Sequence, residues 1–138
     1  MNRAACKLAE LDVLFDLRGG VGTASESQLY FADVCAGPGG FTEYLFYRCG
    51  RHAHGWGFTL RGDCDFQLHK LGMHAEAAPC KAVHTNFKAC YGVDDTGDIY
   101  RSANIRDFRA IVMEATAGVG LDLMTADGGA HYLARSYF

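Results

Sequence analysis

The sequence predicts an α/β fold, a mostly parallel sheet with helices on both faces. Three observations carry this expectation. Strand-like apolar runs alternate with helix-period segments, the order that parallel strands with crossover helices require. Two of the runs end in an aspartate followed by glycines, Asp33 ahead of Gly37 and Asp127 ahead of Gly128. That places polar chemistry at the carboxyl edge, where open α/β sheets bind ligands. The chain has 138 residues, 49% of them hydrophobic, enough for one core and one domain spanning 1–138.

Residues 2–16 read as a helix, with Ala4, Leu8, Leu11 and Phe15 on one apolar stripe. Gly19, Gly20 and Gly22 end it, and 19–28 form a polar loop. Apolar residues at 29–34 predict a buried strand. Gly37, Gly39 and Gly40 then allow a tight turn and close approach of a ligand, and Pro38 stiffens it. A helix over 41–47 follows, its first N–H groups facing whatever lies over the turn. Residues 53–60 predict a second strand, short and interrupted by glycines.

The region 61–101 is the least regular, with a helical turn over Asp65 to Leu71 and a turn cluster over Asp94 to Asp98. A helix over 103–116 presents Ile105, Phe108, Val112 and Ala115 on one face. Residues 121–127 predict another buried strand. Tyr44, Phe46, Tyr47 and Trp56 fall in elements expected to be buried, so they read as core rather than as platforms for stacking RNA bases.

The formal net charge is −3 and the sequence pI about 6.0. A basic whole-protein field is absent, so any nucleic-acid contact must come from a local patch. No apolar run is long enough to span a bilayer, and the first twenty residues lack a secretory signal. Six cysteines stand at 6, 35, 49, 64, 80 and 90 without a C-x-x-C pair. They read as reduced thiols of an intracellular protein. His52, His54, Cys64, His69, His74, Cys80 and His84 match no zinc-ligand spacing, and no metal is expected.

The glycine turn lacks the Lys-Ser/Thr end of a phosphate-binding loop. It is also tighter than G-x-G-x-x-G, and Thr59-Leu60 stands where a ribose-binding acid would end the second strand. This counts against a nicotinamide dinucleotide. Taken alone, the turn is a weak signal, compatible also with a tight strand-to-helix connection that holds no ligand.

A longer pattern is more specific. FADVCAGPGGFTEYL and GWGFTLRG, with MNRAACKLA at the start, GDIYRSANI at 97–105 and MTADGG at 124–129, resemble the FtsJ-type ribose 2′-O-methyltransferases. Within that family the similarity is greatest to the eukaryotic enzymes that methylate the mRNA cap. The resemblance implies a Rossmann-like fold and S-adenosyl-L-methionine as cofactor, held by Cys35, Ala36, Gly37, Pro38, Gly39, Gly40 and Phe41. It puts Asp98, with Ile99, at the adenine. It makes Lys7 and Asp127 catalytic, and sets Asn2 and Asp12 against capped RNA.

The implied reaction is methyl transfer to the ribose 2′-OH of the first transcribed nucleotide, with capped mRNA as partner. RNA polymerase II or other capping machinery would be nearby, in the nucleus. Asp33 is expected to orient the turn through backbone N–H groups. The family's second catalytic lysine and its glutamate lie on later strands without counterparts before Phe138. The expectation is a domain truncated after its fourth strand, with weak or absent transfer by the chain alone. The rival expectation is a catalytically dead cofactor-binding or interaction fragment.

Overall fold

A computed structural model describes residues 3–17, 28–63, 65–67 and 85–128. Helix α1 runs Arg3–Phe15, strand β1 Leu29–Val34 and helix α2 Gly40–Cys49. A 3-10 turn over Gly50–His52 leads into β2, Ala53–Phe58. Strand β3 is Phe87–Cys90, helix α3 Ser102–Ala115 and strand β4 Leu123–Ala126. The strands form one sheet in the order β3-β2-β1-β4, and every neighbouring pair is parallel.

Side-chain alternation in β1 divides the core in two. Leu29 and Phe31 join Ala5 and Leu8 of α1 and Phe41, Tyr44, Leu45 and Phe46 of α2. Ala32 and Val34 point the other way, to Trp56, Phe58, Cys90 and the α3 residues Phe108 and Val112. Helices therefore cover both faces, as the alternation of the sequence requires.

The glycines that interrupt β2 have a packing cause. A Cβ on Gly55 would lie 2.2 Å from the Phe31 ring, and one on Gly57 would lie 2.3 Å from Phe66 and 2.5 Å from Phe87. The rings of Phe31 and Phe46 meet edge-on at 5.6 Å, and those of Phe66 and Phe87 at 5.1 Å. Bare backbone in β2 is what lets these rings lie against the sheet.

Several sequence expectations are corrected. The buried face of α1 carries Ala5, Leu8 and Asp12. Leu11 and Phe15, placed on the apolar stripe, are 41% and 68% exposed. The buried face of α3 carries Asn104 with Phe108 and Val112, in place of Ile105 and Ala115. Tyr47 is 59% exposed, whereas Tyr44, Phe46 and Trp56 are core. Strand β3 arises inside the region expected to be irregular. Its four residues are too few to show a period, and pairing with β2 defines it. Among the described residues, β4 lies at the edge of the sheet, and Thr125 alone in it is buried.

The helical turn expected over Asp65 to Leu71 lies partly outside the described residues; Asp65–Gln67 are not helical. No helix among the described residues is long and apolar enough to cross a membrane.

Candidate active site

The glycine turn begins where β1 ends. Cys35 takes φ +55° and Gly39 φ +112°, both left-handed, and the Gly37–Pro38 peptide is cis. The neighbouring strand end supports the turn. Cys35 N–H donates to the Phe58 carbonyl at 2.7 Å, and Gly37 N–H donates to the Thr59 hydroxyl at 3.1 Å. Within the turn, Gly39 N–H donates to the Ala36 carbonyl at 2.7 Å.

Asp33 anchors the turn from below. One carboxylate oxygen accepts the backbone N–H of Thr42 at 3.0 Å and its hydroxyl at 2.8 Å. The other accepts the Thr125 hydroxyl at 2.9 Å. At 1% exposed, Asp33 has its carboxyl pushed up to about 6 by burial, against the pull of Thr42 and Thr125. The nearby Asp127 charge adds to the rise. Burial, and then Asp33, also raise the Cys35 thiol, so no reactive thiolate lines the turn.

The loop after β3 closes the second side. Gly97 has φ +73°, and a Cβ there would lie 1.7 Å from the Thr59 carbonyl oxygen. Thr59 thus touches both walls, through its hydroxyl to Gly37 and its carbonyl to Gly97. Arg61 N–H donates to the Thr96 carbonyl at 3.1 Å. The Arg61 guanidinium pairs with Asp95 at 2.7 Å and lies 3.6 Å above the Tyr91 ring. Tyr91 in turn donates to Asp65 at 2.7 Å. Hydrogen bonds from Thr96, then Arg101, hold the Asp94 carboxyl well below the usual carboxylate range. Asp98 accepts the Tyr100 N–H at 2.9 Å and stays partly exposed, and Ile99 packs on the second core.

The third side joins the first described helix to the last strand. Lys7 Nζ donates to both carboxylate oxygens of Asp127, at 3.0 and 2.9 Å. The next residue, Gly128, abuts Cys35: a Cβ there would lie 3.5 Å from the Cys35 sulfur. The ion pair therefore stands beside the glycine turn. Both side chains are well exposed, and such a pair adds little to stability.

The FtsJ-like methyltransferase family profile matches residues 1–135. The chain belongs to that family. It is 41% identical over 146 residues to cap-specific mRNA (nucleoside-2′-O-)-methyltransferase 1 of Dictyostelium discoideum, covering 94% of this chain and 18% of that protein. The Danio rerio and Homo sapiens proteins of the same name are 44% and 40% identical, again over 94% of this chain and 16% of theirs. The chain spans less than a fifth of the length of these relatives.

As a family member, the chain carries its expected site residues in three places. Residues 35–39 form the turn and Gly40 and Phe41 open α2, the Phe41 ring lying in the first core. Lys7 and Asp127 meet, and Asp98 with Ile99 lies on the facing loop. Asn2 lies outside the described residues. Asp12, expected against RNA, lies inward. Its buried carboxylate accepts the Tyr44 hydroxyl at 2.6 Å and pairs with Arg48 at 3.4 Å, which ties α1 to α2.

Three threonines were missed as site residues: Thr42, Thr59 and Thr125. Only Thr59 carried a signal, by standing where an acid would end β2. Among the described residues, no group of three or more His, Cys, Asp or Glu is placed to hold a metal.

Proposed function

We propose that this chain binds S-adenosyl-L-methionine over the glycine turn and supplies the donor side of a methyltransferase acting on the ribose 2′-OH of capped mRNA. The observation that carries this reading is the Lys7–Asp127 pair, two residues 120 apart in sequence meeting beside the turn. An exposed ion pair contributes little to folding, so its placement favours chemistry over architecture.

The residues present fit the cofactor. The turn offers backbone and small side chains, with no lysine to meet a terminal phosphate. Asp127 gives a negative charge near the place of a sulfonium, and Asp98 an acceptor for an adenine amino group. When bound, the cofactor supplies a methyl group already activated by positive charge. Asp127 fixes the Lys7 side chain, and the two together hold the incoming hydroxyl in line while its proton passes to water, which is catalysis by orientation. The relatives' printed names support capped mRNA as the substrate; a place in the nucleus beside the capping machinery is part of the proposal.

Calorimetric titration with S-adenosylmethionine tests the pocket, and absence of both heat and thermal shift would remove it. Radiolabelled methyl transfer to capped RNA, with Asp127→Ala as control, tests the reaction. The same assay measures what the 138 residues transfer unaided, and so separates an enzyme from a cofactor-binding fragment.

A further inference from the structure

We infer that Asn104 is a positioning residue that sets the height of Asp98 in the adenine-side loop and thereby its discrimination between purine bases. The inference rests on the proposed cofactor pocket. Asn104 lies in the first turn of α3 and is fully buried, at 0% exposure. A buried polar side chain is unfavourable unless its hydrogen bonds are made. The Asn104 amide nitrogen donates to the Asp94 carboxylate at 3.0 Å and to the Asp98 carbonyl at 3.1 Å, with the Thr96 hydroxyl at 3.5 Å. All three acceptors belong to one loop, and together they fix which way the amide faces.

The amide oxygen has no hydrogen-bond partner. Core filling alone does not explain such a group, since an apolar side chain of the same size would leave no orphan. What the asparagine contributes is its grip on the loop. The loop is shaped to receive it: Gly92 has φ +78°, and a Cβ there would lie 2.3 Å from the Asn104 side-chain carbon. Asp98 is bound through its carbonyl to Asn104, while one carboxylate oxygen accepts the Tyr100 N–H. Its second oxygen lies 4.0 Å from the Arg101 Nε. The buried amide thus fixes the backbone that carries the Asp98 carboxylate.

The test compares S-adenosylhomocysteine with S-inosylhomocysteine, which replaces the amino group by a carbonyl that Asp98 would repel. Calorimetry on the full chain should give at least about a tenfold preference for the adenosyl ligand. Asn104→Ala should bring the ratio to within about threefold while unfolding stays cooperative. Asp94→Ala, which removes the carboxylate that Asn104 grips in the partly exposed loop, should move the ratio the same way and covers the case in which the core variant does not fold. General destabilisation lowers both affinities together, so an unchanged ratio in the folded variants overturns the role of Asn104. Lack of discrimination in the wild type also overturns it. Failure of the wild type to bind either ligand removes the pocket reading itself, and this inference with it.

Discussion

The Thr125 hydroxyl donates a 2.9 Å hydrogen bond to the Asp33 carboxylate, joining the edge strand β4 to the central strand β1. The other oxygen of that carboxylate grips the start of α2 through Thr42. The glycine turn and the strand that leads to Asp127 therefore hang from one buried acid. Thr125→Val keeps the shape and removes the bond. It should lower unfolding stability by about 1–3 kcal/mol, the cost of leaving a buried charged acceptor short of a partner. Urea denaturation checks this; no shift in midpoint would show that the strand pairing holds β4 unaided.

Asp33 also gives stability a pH dependence of unusual sign. Its carboxyl is raised from 3.8 to about 6 in the fold. Between those values the folded state binds more protons than the unfolded chain, so the linked stability is full below about pH 4. It is lost as pH rises through 6, on the order of 3 kcal/mol in all. Asp33→Asn does not ionise and should show a flatter profile across pH 4 to 6. Parallel profiles for the two proteins would refute the assignment.

Lys7 and Asp127 should separate activity from stability. Lys7→Ala and Asp127→Ala should each change unfolding free energy by less than about 1 kcal/mol. Methyl transfer to capped RNA, in protein that shows it, should fall by about a hundredfold or more. A large loss of stability in either variant would make the pair architectural.

Gly97 is where the loop after β3 meets the end of β2. Gly97→Ala combines a left-handed backbone with a Cβ 1.7 Å from the Thr59 carbonyl oxygen. The loop must shift, so cofactor affinity should drop about tenfold, with about 2–4 kcal/mol of stability. Gly62→Ala is the control. It too has positive φ, at +106°, but nothing lies within 4 Å. It should carry the backbone strain of about 1 kcal/mol without the loss of affinity. Equal effects at both positions would remove the steric argument.

Much of this architecture was legible along the chain. The strand at 29–34, the glycine turn and the helices after it and over 103–116 follow from periodicity and glycine placement. The helix faces were less legible. Asp12 and Asn104 occupy buried positions because Tyr44 and Arg48, or the 94–98 loop, meet them there. A hydrophobic count passes over such positions and selects Leu11, Phe15 and Ile105 instead. Strand β3 escaped because four residues with a lysine among them look like loop until β2 lies alongside.

The local conformations and, through the motifs, the family are written along the chain. Torsional preference and hydrophobic period are properties of neighbouring residues, and so is the left-handed turn that glycine permits. That Lys7 meets Asp127, that Asp33 holds Thr125 and that Gly97 presses on Thr59 follows only from the folded arrangement. Each of these contacts depends on the strand order β3-β2-β1-β4. That order is set by pairing between distant segments and by two cores packing against opposite faces, which no local stretch of chain encodes.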